Sequence, residues 1–168
     1  MKQKYLIAYF SRKINNYDNG KIENLPIGNT EVIAKMIQDI IGGDLFHIKT
    51  VQSYPEDYNE TIEVAKKELN NDSRPALSND LSNIDSYEVV FLGYSNWWGT
   101  IPMAICTFLE SFDFEGKKII PFCTHEGSGL GNSVEAIKKL CKRSIVNHST
   151  AFYGRNVQKF KRCRKKMD

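Results

Sequence analysis

Three stretches of this chain carry residues whose chemistry exceeds what folding alone requires. Trp97 and Trp98, its only tryptophans, stand side by side in Gly93-Tyr-Ser-Asn-Trp-Trp-Gly-Thr-Ile-Pro102, a connection where small polar residues are usual. Two consecutive residues of a loop cannot easily both face a core, so adjacent indoles point to a flat aromatic ligand that stacks. Thr124-His-Glu-Gly-Ser-Gly-Leu-Gly131 supplies glycines at 127, 129 and 131, which let backbone approach a planar ligand and aim amides at its edge. Ser11 and the run Gly28-Asn29-Thr30 supply hydroxyls and N–H groups at the start of a helix, an anion site that needs no lysine or arginine. Taken alone, Gly28-Asn29-Thr30 is an ordinary helix cap; the other two stretches give it a functional reading.

Other chemistries on these residues are weaker. His125 with Cys123 lacks a third metal ligand, while a hydrogen-bonding role for His125 at a ligand edge fits. His47 and His148 read as surface or strand-edge residues and Cys106 as core. No Cys-x5-Arg loop is present, which excludes phosphatase chemistry of that type. No carboxylate follows Leu92, so a phosphate-receiving regulatory domain is disfavoured.

The elements that must position these stretches are legible. Tyr5–Phe10 and Val89–Leu92 are apolar runs without alternation, the pattern of central parallel strands. Val32, Ile33, Met36, Ile37, Ile40 and Ile41 predict a helix that Gly42-Gly43 stops. Leu45–Val51 alternates and reads as an edge strand. A second helix starts at Tyr54-Pro-Glu-Asp57 and faces inward through Tyr58, Ile62, Ala65 and Leu69. Thr100 and Pro102 begin a third helix, ending near Gly116. Lys118–Cys123 is the next strand, with Pro121 arguing weakly against a fully paired interior position. Asn132 and Glu135 cap a helix over Ser133–Cys141, and Ser144–Tyr153 gives the last strand. Residues 12–27 are rich in turn formers, with a small hairpin expected around Asp18-Asn-Gly20. This alternation of strand and helix demands a parallel sheet covered on both faces. The loops after the first, third and fourth strands then share one edge.

The 168 residues suit a single domain. No apolar run approaches the ~20 residues of a membrane span, and no signal-peptide plan is visible. The four cysteines, 106, 123, 141 and 163, form no CxxC pair and read as reduced thiols of a cytoplasm. The net charge of +3 is concentrated at the end: residues 159–168 carry +5 and the rest sum to −2. That tail reads as a solvated last helix with Val157, Phe160, Cys163 and Met167 on one side, rather than an arm for nucleic acid or membrane.

Phosphate binding, stacking and edge hydrogen bonds together describe flavin mononucleotide (FMN). The strings Gly28-Asn-Thr30, Tyr54-Pro-Glu-Asp-Tyr58, Asn96-Trp-Trp-Gly-Thr100 and Pro121-Phe-Cys-Thr-His125 followed by Gly127-Ser-Gly129, in this order and spacing, resemble a bacterial subgroup of the flavodoxin-like family from Tyr5 to about Tyr153. The resemblance implies an α/β flavodoxin-like three-layer α/β/α sandwich over residues 1–158, with a five-stranded parallel sheet in order 2-1-3-4-5, and a basic tail at 159–168. It implies that Ser11, Gly28, Asn29 and Thr30 hold the FMN phosphate. Asn96, Trp97, Trp98 and Gly99 would lie beside the isoalloxazine, and Thr124, His125, Glu126, Gly127, Ser128, Gly129 and Gly131 along its other edge. It implies electron transfer, as a low-potential carrier or a small FMN-dependent oxidoreductase, with redox proteins or NAD(P)H as partners. The alternatives are an NAD(P)H-dependent quinone-type reductase and a binding module without flavin. The chain departs from the family where residues 12–27 interrupt the phosphate loop, where Glu126 replaces a glycine, and in its short basic end.

Overall fold

The computed structural model describes residues 3–78 and 81–165. Strand β1 (Tyr5–Tyr9) sits at the centre of the molecule because both its faces are apolar. Leu6, Ala8 and Phe10 enter one core and Ile7 and Tyr9 the other. After β1 the chain leaves the sheet in an antiparallel hairpin, β2 (Ile14–Asp18) and β3 (Lys21–Leu25). Its two turn residues, Asn19 and Gly20, hold φ of 51° and 85°, the left-handed pair that matches strand twist. The hairpin expected at Asp18-Asn-Gly20 is therefore present, and it organises nearly the whole interruption.

Helix α1 (Asn29–Ile41) follows, with Gly28 at its N-cap and Gly42 at its end, where the Gly42 N–H bonds to Gln38. Val32, Ile33 and Ala34 are buried, while Ile40 is 80% exposed. Edge strand β4 (Asp44–His47) is shorter than expected. Thr50 instead bridges to Leu77. Helix α2 (Tyr58–Asn70) starts one turn later than its acidic run suggests, because Asp57 is the cap and accepts from the Glu60 N–H at 2.9 Å. Strand β5 (Val89–Ser95) leads to α3 (Met103–Glu110), which begins at Pro102 without a side-chain cap. Thr100 is used elsewhere, in a bridge with Trp97. Strand β6 (Lys118–His125) and α4 (Ser133–Leu140) follow, and Asn132 makes no side-chain cap bond.

The expected single last strand is corrected by two short ones, β7 (Ile145–Val146) and β8 (Thr150–Tyr153), both parallel to β6. The sheet thus has six strands, all parallel, in the order β4-β1-β5-β6 with β7 and β8 sharing the final position. β7 pairs with Lys118 and Ile119, β8 with Phe122 to His125. Ile120 and Pro121 lie opposite the gap, so the break falls where proline has no N–H to offer.

Helix α5 (Gly154–Lys165) starts directly from β8 and buries Val157 and Gln158. Lys159 to Lys165 of the expected basic tail continue this helix, while Met167 lies outside the described residues. α1 and α5 pack on one face of the sheet. α3 and α4 cover the other, through Ile105, Phe108 and Ile137. Among the described residues no helix is long and apolar enough to cross a membrane. Cys106, Cys123 and Cys141 are buried free thiols, and Cys163 is an exposed one.

Candidate functional site

Because parallel strands all end on the same edge, the loops after β1, β5 and β6 converge there. They enclose a cleft of about 430 Å³. At its floor three hydroxyls from three elements form a triangle. Thr30 Oγ1 is 2.8 Å from Thr124 Oγ1 and 3.2 Å from Ser95 Oγ, and Ser95 is 3.0 Å from Thr124. Thr30 itself is 1% exposed. Its side chain therefore ties α1 to the ends of β5 and β6, and what the first turn of α1 offers the cleft is backbone N–H without an intrahelical acceptor. Ser11 Oγ takes one such group, Glu31 N–H, at 3.2 Å.

The two tryptophans divide the work. Trp97 is half-buried, edge-on to Phe10 and Tyr54 at 5.3 and 5.1 Å. Trp98 and Gly99, at φ of 54° and 82°, form a tight turn closed by paired bonds between Trp97 and Thr100. The turn throws Trp98 outward, 48% exposed. Its Nε1–H donates to the Ile62 carbonyl at 2.9 Å, and the Lys66 ammonium stands 5.1 Å from the centre of its ring. Asn96 clamps this turn to the glycine-rich loop: its Nδ2 donates to the Gly129 carbonyl at 2.8 Å, and its Oδ1 accepts the Gly99 N–H at 2.9 Å. A Cβ on Gly131 would collide with the Gly99 carbonyl, so this glycine serves the contact between the two loops.

His125 Nδ1 accepts the Gly127 N–H at 2.9 Å. That bond leaves the ring proton on Nε2, making His125 a neutral donor in the cleft wall. Burial pushes its pKa down, and its ring leans on Tyr153 at 4.5 Å. Glu126 does something unforeseen. One carboxyl oxygen accepts the Asn19 N–H of the hairpin turn and the other the Arg155 N–H at the start of α5, each at 3.1 Å.

Of the residues expected from sequence, Ser11, Asn29, Asn96, Trp97, Trp98 and the run Thr124–Ser128 line the cleft. Gly28 and Thr30 are buried behind that surface, while Gly99, Gly129 and Gly131 do not line it but shape the two loops that do. Several lining residues escaped the sequence reading: Arg12 just before the hairpin, Asn16 and Tyr17 on β2, and Tyr58, Thr61 and Ile62 from α2. Tyr58 and Ile62 had been placed on an inward face. The face is inward, but towards the cleft. Arg12 is held by three backbone carbonyls, Asn15 at 3.1 Å, Pro55 at 2.8 Å and Glu56 at 3.1 Å. Burial lowers its pKa, yet a guanidinium stays charged. Gln158, from α5, donates to Asn29 Oδ1 at 2.5 Å and fixes the side chain at the α1 start.

The cleft thus joins N–H and hydroxyl donors at a helix start, a cation, exposed aromatic faces and a fixed imidazole donor. This donor set fits a planar, phosphorylated ligand such as FMN.

A flavodoxin family model matches residues 24–161. A protein of Bacteroides eggerthii, provisionally assigned as a flavoprotein, shares 30% identity over 96% of this chain and 98% of its own, with a TM-score of 0.74. One from Bacteroides uniformis, assigned in the same provisional way, shares 25% over 96% and 99%, with a TM-score of 0.73. A flavoprotein of Lactobacillus acidophilus in complex with FMN shares the fold, at 18% identity over 95% and 99% with a TM-score of 0.65. No curated protein matches the chain. The helix start, the aromatic turn and the glycine-rich loop thus sit on a frame whose family is shown: the chain belongs to the flavodoxin family.

Proposed function

We propose that this protein binds FMN in the cleft and works in electron transfer. The observation that carries the reading is the convergence of the α1 N-terminus, the Trp98 turn and the glycine-rich loop on one cavity. The N–H groups of the first α1 turn, with Ser11 beside them, would hold the phosphate through hydrogen bonds and the helix dipole. Trp98 and Tyr58 would cover the ring system and keep water from it, and His125 Nε2–H would donate to its polar edge. FMN, when bound, supplies the redox chemistry, and the chain needs no covalent catalyst. The L. acidophilus structure with FMN supports the cofactor by likeness of fold. The test is spectroscopic. Purified protein, or protein given FMN, should show the flavin spectrum at one equivalent; a chain that stays colourless with excess FMN defeats the proposal.

Charge favours a second reading, NAD(P)H-dependent reduction of a quinone-type acceptor. A pure carrier commonly docks through acidic residues around its flavin, but here Glu126 is engaged by two backbone N–H groups while Arg12 and Lys66 flank the cleft. An assay of NAD(P)H oxidation with a quinone separates the two. Rapid turnover by the protein alone supports the reductase, and its absence, with electron exchange to a reduced partner protein intact, supports the carrier.

A further inference from the structure

The last helix carries a dense run of positive charge, and it starts at the cleft. α5 holds Arg155, Lys159, Lys161, Arg162, Arg164 and Lys165 and no acidic residue. Arg155, Lys159 and Arg162 are spaced four and three apart, so they share one stripe of the helix. All three are exposed, and none forms an ion pair among the described residues. Asn156, Phe160 and Cys163 make the neighbouring stripe, on which Phe160 is 59% exposed. Val157, on the side turned to the sheet, packs in the core with Ile7 and Tyr9.

The cationic stripe is anchored to the cleft at its first residue. The Arg155 guanidinium stands 4.7 Å from the centre of the Tyr153 ring, and that ring lies 4.5 Å from His125 in the cleft wall. The Arg155 N–H is held by Glu126, which also lines the cleft. From Arg155 the stripe runs about 10 Å along the helix to Arg162. Acid is scarce around it. Glu126 is the one acidic lining residue among those described, and both its oxygens accept backbone N–H groups. On the other side of the mouth Arg12 lines the cleft and Lys66 stands against Trp98. The mouth is thus flanked by cations on two sides, while residues 1–158 as a whole sum to −2. Charge concentrated in this way turns the protein to face an approaching anion with its cleft forward.

We propose that α5 and the adjoining cleft wall are the docking surface for an acidic electron-transfer protein. The inference rests on the FMN reading, and it gives the carrier a partner of opposite charge to the one an acidic carrier recruits. A small anionic donor would sit inside the cleft and leave Lys159, Phe160 and Arg162 uncovered. Arginine and exposed aromatic rings are the residue types enriched at protein interfaces, and complementary charge speeds the encounter. A nucleic acid or a lipid headgroup has no electron to deliver at the wall where the stripe begins. In each encounter with a reduced iron–sulfur protein, one electron leaves the partner's centre and one enters the bound FMN. Two encounters, with protons drawn from water, complete a two-electron reduction.

The test uses the full chain loaded with FMN. An acidic plant-type [2Fe–2S] ferredoxin serves as electron donor, and basic cytochrome c as acceptor from the reduced protein. Stopped-flow rate constants are measured from low to high salt. The ferredoxin reaction should slow by about tenfold or more as salt rises, and the cytochrome c reaction should not slow. Lys159→Glu with Arg162→Glu should lower the ferredoxin rate at low salt by at least about tenfold. Lys4→Glu with Lys118→Glu makes the same change in net charge on two exposed residues at the opposite edge of the sheet. That pair should alter the rate by less than about threefold. Equal losses in the two pairs overturn the proposal, as does a ferredoxin rate indifferent to salt. Binding of oxidised ferredoxin to the chain free of FMN, followed by calorimetry at low salt, stands apart from the cofactor. A chain that takes up no FMN rejects the FMN reading, while loss of ferredoxin binding in the α5 pair alone still supports the docking surface. Failure to bind ferredoxin overturns it, and binding of duplex DNA or phosphatidylserine vesicles in its place, lost in the α5 pair, assigns the surface to another class of partner.

Discussion

Thr30 Oγ1 and Thr124 Oγ1, 94 positions apart in sequence, lie 2.8 Å from each other. With Ser95 they weld the start of α1 to the ends of two adjacent strands, at the floor of the cleft. Thr30→Val keeps the shape and removes a buried partner, leaving Thr124 one bond short. The expected cost is about 1–2 kcal/mol in urea unfolding. FMN titrated into the variant should bind more weakly, because the first turn of α1 loses its seat. Unchanged stability would mean that the triangle contributes nothing.

The division between the two indoles gives opposite mutational outcomes. Trp97→Ala removes a ring packed on Phe10 and Tyr54 and should cost about 3 kcal/mol of stability. Trp98→Ala deletes an exposed ring at the cleft mouth and should change stability by less than about 1 kcal/mol, while weakening FMN binding by about tenfold or more. Urea curves and flavin-fluorescence titrations on both variants check this.

Gly131 has φ of 52°, and a side chain there would run into the Gly99 carbonyl and the Asn96 amide. Gly131→Ala should therefore cost at least about 1 kcal/mol and loosen the clamp between the two loops. The same change at Gly20, where a Cβ meets open space, should cost only its backbone term. Comparing the two variants by thermal unfolding isolates the collision.

Acid should act through two histidines. Burial lowers the pKa of His47, stacked on Tyr9 at 4.7 Å, and of His125. Each is therefore neutral in the folded state at a pH where the unfolded chain already binds the proton. Their contribution is complete above the ordinary histidine value and declines as pH falls from there through the lowered values. NMR titration should place both midpoints below about 6.5, the ordinary value. A midpoint for His125 above it would contradict the bond from Gly127.

Much of this architecture could be read from the sequence, because it rests on patterns that burial enforces. Unbroken apolar runs gave β1 and β5, Gly42-Gly43 gave the end of α1, and Asn19-Gly20 gave the hairpin turn. What stayed hidden depends on contacts between distant segments. Pro121 did signal a fault in the sheet, but only the paired registers show that its effect falls on the neighbouring strand, which splits in two. Arg12 stood unremarked within the turn-rich stretch 12–27, because the carbonyls that hold it, those of Pro55 and Glu56, lie more than forty residues away. Tyr58 and Ile62 had the periodicity of a core face, and periodicity cannot distinguish a core from a cleft wall. Glu126 was expected beside the flavin ring. Its partners, Asn19 and Arg155, are far away in sequence, so nothing local could disclose them.

Gly28 packs directly against Ser11 and the Arg12 carbonyl, so the chain leaves β1 and enters α1 through nearly the same point in space. An excursion whose two ends already touch can be lengthened, exchanged or cut out without moving the framework on either side. The hairpin is in this sense a graft, and a shortened descendant would retain its sheet and helices while losing Asn16 and Tyr17 from the cleft wall.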